Sequence, residues 1–293
     1  MAALPKPLEA IRKHVYHAEA DILKADLEQP FHERIRPQAY VKLKGESHYQ
    51  FKYAPHFRLE GILSYQSGYT QVAGHRSSKP GHGYATLTTS VIEGVNILEV
   101  LTADRVVAQI STEHPLDGAV PSVSFLGTRF ENLRIAGHEL DIDTNLEILG
   151  PKPAKDGSYF DQQSVQNEVS QQYQTLSTAP NRPKWAQERY PSNGSAKKQA
   201  DQFDCSLVTG VHNYPGAFGH VFEIPHFGKF FLGELKVKRE RRPEPDYDTY
   251  RFILTMIRME LGCPVVGGGS IGTCDSNGEG GQGSGGKGGG PTS

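Results

Sequence analysis

Hydrophobic positions in this chain recur mostly at every second residue, with polar residues between them. Leu133 and Ile135, then Leu140 and Ile142, keep that period, and Arg134, Glu139, Asp141 and Asp143 fall on the other side. Successive strand side chains point to opposite faces, so this alternation predicts antiparallel strands with one wet face. Ala136-Gly137-His138-Glu139 reads as the turn between them. Upstream, Val95, Ile97, Leu98, Val100 and Leu101 form a denser apolar run, followed by Val106, Val107 and Ile110. Their β-branched content predicts strands buried on both sides.

The same alternation extends outward from this centre. Tyr40 to Leu43 begins a strand, Gly45-Glu46-Ser47 turns, and Tyr49, Phe51 and Tyr53 then alternate with His48, Gln50 and Lys52. Aromatic residues so spaced pack well on a sheet. Residues 65–83, with Gly68, Gly74, Gly81 and Gly83, read as a long loop. A second β half runs from Cys205 to Leu261. In it Phe227-Gly228-Lys229 is a turn and Lys236 to Asp246 is a charged hairpin tip. Arg251–Leu261 fits a strand through Phe252, Leu254 and Met256 or a helix through Ile253, Ile257 and Leu261, the preceding hairpin favouring the strand.

Two stretches depart from period two. Leu8, Ile11, Val15, Ala18 and Ile22 recur at spacings of three and four, which predicts an amphipathic N-terminal helix over Leu8–Leu27, ended by Pro30. Residues 150–203 are polar and read as an insertion, with one short helix near Asp161–Tyr173 and an exposed loop after Pro180 that carries Trp185. From Gly267 onward the glycine density predicts a disordered tail, because glycine loses the most backbone freedom on ordering. The expected organisation is a helix over 1–30, one β-domain over 31–265 interrupted at about 150–203, and a tail over 266–293. The fold class is mainly β: an antiparallel β-sandwich or flattened barrel of about eight or more strands.

The run from Gly94 to Ile142 resembles the repeated-strand core of bacterial choice-of-anchor β-domains. Val100, Leu101, Thr102, Ala103, Asp104, Ser122, Asn132, Leu133, Gly137 and Ile142 carry the likeness. Members of that group are mostly surface or exported proteins of undefined biochemical role, so the resemblance implies a surface setting. The chain opens without a charged, then apolar, then small-residue secretion pattern, which points instead to the cytoplasm.

Composition narrows the function classes. The 293 residues carry a formal net charge of −2, so no global basic field attracts nucleic acid. No apolar run reaches the length of a membrane span. Three cysteines, Cys205, Cys263 and Cys274, cannot all pair within one chain, in keeping with a reducing compartment.

Candidate chemistry is sparse. Gly267-Gly268-Gly269-Ser270-Ile271-Gly272 matches the letters of a dinucleotide fingerprint but lacks the following helix whose N-terminus would meet the pyrophosphate. Gly286-Lys287 lacks the hydroxyl residue of a phosphate loop. Asp141-Ile142-Asp143-Thr144-Asn145 has the oxygen spacing of a calcium loop without its turn glycine. The basic run Lys236–Arg242 has no interleaved aromatics for base stacking. The Gly-x-Ser-x-Gly letters around Ser270, Gly268-Gly269-Ser270-Ile271-Gly272, fall in the glycine-rich segment with no helix after them, so they do not make the strand-to-helix turn of a nucleophile elbow.

His212, His220 and His226 lie close in sequence to Glu223 and Glu234, a residue set that would suit zinc or iron if it converged. The expected function is therefore a non-enzymatic binding, assembly or structural β-domain without cofactor, contacting itself, a protein or a glycan. The rival is a metal-dependent enzyme on a β-barrel built from His212, His220, His226 and Glu234.

Overall fold

A computed structural model describes residues 14, 16–45, 48–78, 83–115, 120–154, 157–180, 182–194, 201–243, 246–262 and 264–278. The first strands are β1 (Tyr16–Gln29), β2 (Glu33–Gln38), β3 (Val41–Gly45), β4 (His48–Ala54), β5 (Phe57–Leu59), β6 (Leu63–Tyr65) and β7 (Ser67–Arg76). Two long strands follow, β8 (Tyr84–Ile97) and β9 (Leu101–His114). Short ones come next: β10 (Ser122–Ser124), β11 (Arg129–Glu131), β12 (Arg134–Ile135), β13 (His138–Glu139) and β14 (Ile142–Thr144). The polar insertion holds α1 (Gln163–Thr178) and α2 (Lys184–Arg189). The second half adds β15 (Gln202–Ser206), β16 (Val208–Val211), β17 (Ala217–Phe218), β18 (Val221–Ile224), β19 (Gly228–Pro243), β20 (Asp246–Leu261) and β21 (Val266–Gly278).

The strands form two large sheets, both antiparallel. The first runs β17-β18-β19-β20-β21-β1-β2, with β15 also on β19 and β3 also on β1. The second runs β13-β12-β9-β8-β6-β5, with β10 and β11 on β9, β7 on β8, and β4 on β7. β14 and β16 form a separate ribbon. β1, β20 and β21 pack against β7, β8 and β9, and one cluster of buried side chains joins the layers. The result is sandwich-like, and neither sheet closes into a barrel.

The predicted N-terminal helix is instead β1. Leu8, Ile11 and Val15 lie outside the described residues. Tyr16, Ala18, Ala20 and Ile22 alternate inward, and Leu23, Ala25 and Leu27 continue inward one residue out of phase. A spacing of four is two strand periods as well as about one helical turn, so Ala18 and Ile22 fit both templates. Pairing decides: β1 bonds β21 on one side and β2 and β3 on the other.

The phase slip in β1 is one point on a crease that crosses the first sheet. The ladders skip one position each in line across the sheet, and the pairs on either side bracket Gly233 of β19, Met256 of β20, Gly272 of β21 and Ile22 of β1. Gly233 and Gly272 have φ of 59° and 63°, a left-handed backbone that L side chains avoid. Beyond the crease the inward set changes parity, from Phe230 and Leu232 to Leu235 and Val237 in β19. Both halves thereby face one core.

The glycine-rich segment from Gly267 is the next correction. Residues 266–278 form β21, hydrogen-bonded to β20 and β1 on its two edges, while 279–293 lie outside the described residues. A Cβ on Gly269 would stand 2.8 Å from the Lys24 carbonyl oxygen, and one on Gly267 2.4 Å from that of Asp26. The glycines permit a close approach of strands, and two hydrogen-bonded edges offset their ordering entropy.

Residues 67–76, expected within a loop, are β7. Its Gly68 and Gly74 lie under Ile22 and Tyr16 of the facing sheet. The apolar run 95–101 is broken by a turn at Leu98 and Glu99, with φ of 52° and 59°, which joins β8 to β9. The charged stretch from Lys236 is not a tip: β19 continues to Pro243, opposite Asp246, and the connecting 244–245 lie outside the described residues.

In the insertion, the helix near Asp161–Tyr173 is present as α1, which buries Val165 and Val169 in the main core. The stretch after Pro180 is not simply exposed, because α2 buries Ala186 within it. Leu176, Ala186, Phe218, Val221 and Phe231 form a second cluster between the helices and the first sheet.

Candidate binding surface

The four residues singled out as metal ligands stand in different settings. His212 is exposed at the end of β16, its Nε2 2.6 Å from Asp143 Oδ2. That pair lies on the β14–β16 ribbon, where the His212 amide also donates to the Asp141 carbonyl at 3.0 Å. The spacing that suggested a calcium loop is therefore a strand edge. His226 is exposed in the turn before β19, with φ of 61°.

His220 is buried, and burial pushes its imidazole down to about 4, with the Glu234 carboxylate opposing that shift. Glu234 is held by Arg258, whose Nη2 donates to Oε1 at 2.9 Å. Arg258 also lies 3.6 Å from the centre of the Phe231 ring, and Arg189 of α2 lies 4.6 Å from it. Trp185 Nε1 donates to Glu223 Oε2 at 2.7 Å, and Lys229 sits over the Trp185 ring. This network of ion pairs and cation–π contacts fastens the helical insertion to the first sheet. Among the described residues no three His, Cys, Asp or Glu side chains are grouped to hold a metal ion.

A shallow cavity of about 190 Å³ is lined by Arg129, Asn132, Leu133, Glu139 and neighbouring residues. It falls short of the roughly 300 Å³ at which pockets for small organic ligands begin.

The outward side of the second sheet is different in kind. β4 pairs only with β7, so it is an edge strand. Its Tyr49, Phe51 and Tyr53 are 53%, 51% and 57% exposed, although they share one face and one column. The register extends each aromatic into a row across the sheet. Tyr53 leads to Tyr69, Val91 and Val107; Phe51 to Gln71, Thr89 and Gln109; Tyr49 to Ala73, Leu87 and Ser111. Phe51 and Tyr69 contact each other, ring centres 5.6 Å apart. These rows carry no charged side chain. The nearest charges on the same face are marginal: Glu93 with Arg105 at one end, Glu113 of β9 at the other, and Arg129, tied to Glu131 at 2.7 Å, beyond β9. The inner side of β7, β8 and β9 meets the other sheet.

Alternation identified the aromatics of β4 as sheet residues, but not which way they point. A usable signal lay in their partners: His48, Gln50 and Lys52 are also polar, so neither face of β4 reads as core.

These features define a mainly antiparallel β-sandwich-like protein with a helical insertion and one sheet face on which the β4 aromatics are exposed while Val91 and Val107 further inward are buried. The chain belongs to a family described as a domain of unknown function (DUF8256), whose model matches residues 14–238. No curated protein and no solved structure matches it.

Proposed function

We propose that the chain is a non-enzymatic binding or assembly domain whose working surface is the outward face of the second sheet. The exposure of Tyr49, Phe51 and Tyr53 side by side carries this reading. Leaving each ring half in water forgoes roughly 1 kcal/mol of apolar burial, and a contiguous apolar patch marks an interaction site more often than an isolated residue does. Partner contact recovers that burial. A reducing, cytoplasmic setting fits the unpaired thiols of Cys205 and Cys274. Among the described residues no helix is long and apolar enough to cross a membrane.

Hydroxyl-radical footprinting of the purified chain, in buffer and in an extract of its source cells, tests the surface whatever the ligand proves to be. Tyr49, Phe51 and Tyr53 are expected to become protected in the extract. Equal oxidation of all three in both media would sink the proposal.

A further inference from the structure

We infer that the ligand of this face is a neutral polysaccharide chain, an inference that rests on the binding role assigned to the face above. The argument is chemical complementarity. Aromatic side chains stand about 7 Å apart along β4, and a second column of side chains runs about 5 Å inward on β7. The first column presents flat apolar rings, with Tyr69 adding a fourth. In the row led by Phe51, the next positions are Gln71, Thr89 and Gln109.

A pyranose ring has the matching duality. Its C–H face is apolar and packs on an aromatic ring, and its hydroxyl rim both donates and accepts hydrogen bonds. Carboxamides also do both from one side chain, and hydroxyls likewise. The rows across β4, β7, β8 and β9 lack charge, which disfavours nucleic acid, phosphorylated and acidic ligands, all of which need cations to offset desolvation. A column of exposed rings along β4 suits an extended chain better than a compact molecule.

Addition of another strand to the edge of β4 is the less favoured geometry. Lys52 is exposed on that edge strand, and a lysine there is a common device against strand pairing. The exposed aromatic column of β4, not its edge, is the contact surface of this inference.

The test is affinity electrophoresis of the full chain in native gels containing hydroxyethylcellulose, xylan, mixed-linkage β-glucan or dextran, with light scattering in parallel. Retardation is expected in at least one gel, and high salt should leave it unchanged because no ion pair is involved. Phe51→Ala and Tyr53→Ala should each abolish it with unaltered melting temperature, and Gln71→Ala should weaken it about three- to tenfold. Mobility unchanged in all four gels, or retardation indifferent to Phe51→Ala and Tyr53→Ala, overturns the inference. A dimer that dissociates on Phe51→Ala also overturns it, while leaving the binding face in place. Loss of footprinting protection as well would remove both.

Discussion

His114 faces His14 across one end of the sandwich, their ring centres 5.2 Å apart, and both nitrogens of His114 and Nδ1 of His14 have no hydrogen-bond partner among the described residues. His14 stacks on Tyr84 at 4.2 Å and meets Tyr16 edge-on. Burial lowers the His14 pKa to about 4, and burial, then His14 and Lys152, pushes His114 well below its usual value. Both rings are therefore neutral in the folded protein near pH 7.

Acid should destabilise the fold through this pair. Each imidazole binds a proton more readily when unfolded, so stability is fully present above about pH 6.5 and is lost as pH falls toward 4. For His14 the full difference is about 3 kcal/mol. Thermal melts of the wild type and of His114→Leu between pH 7 and pH 4.5 check this, since the variant should show a shallower decline; equal declines would assign the acid sensitivity elsewhere. His220, also held near 4 by burial, will leave a residual slope in the variant.

Substitution at the crease should be costly for a backbone reason. A Cβ on Gly272 would sit 3.2 Å from Met256 Cγ, at a φ of 63°. Gly272→Ala is expected to lose about 1–2 kcal/mol in urea unfolding, and Gly272→Asn less, because asparagine tolerates that conformation. A Gly272→Ala variant as stable as the wild type would refute the crease argument.

The helical insertion should come loose when its aromatic seat is removed. Phe231 lies beneath Arg258, Arg189 and Trp185. Phe231→Ala should lose about 3–5 kcal/mol and shift the fluorescence of Trp185, the chain's one tryptophan, to the red. An unshifted spectrum would mean that α2 is held by other contacts.

A fragment ending at residue 238, where the family match stops, should not fold. It lacks β20 and β21, which lie between β19 and β1 in the first sheet. Circular dichroism and amide dispersion by NMR are the readouts; a cooperative melt from that fragment would contradict the strand order.

Much of this architecture was legible in the alternation of residues. Leu133 and Ile135 mark a strand and Ala136-Gly137 its turn, but the returning strand is His138–Glu139, which was expected in the turn, and Ile142 pairs elsewhere, with β16. Phe252, Leu254 and Met256 mark β20, although Ile253, Ile257 and Leu261 fit a helix as well. β1 was obscured because its phase slip at Ile22–Leu23 mixes odd and even spacings. β7 and β21 were obscured because their glycines serve elements remote in sequence, the facing side chains of Ile22 and Tyr16 for β7 and the backbone of β1 for β21, which no local propensity encodes. The proposed face was half legible: the pattern located Tyr49, Phe51 and Tyr53 on a strand, but their exposure of 53%, 51% and 57% appears only once the strands are assembled. His212, His220 and His226 are near in sequence yet fall on different turns, and nearness along the chain does not by itself bring side chains together.

The pairing of β1 with β21 also bears on the order of events during synthesis. β1 leaves the ribosome first, yet its ladder partner at the sheet's centre is the last strand described. Until that strand emerges, β1 presents an unpaired edge and an apolar side to the cell. Contacts so distant in sequence slow folding and prolong exposure to aggregation. The protein should therefore collapse post-translationally, and its nascent chain should be a substrate for chaperones that bind exposed apolar segments.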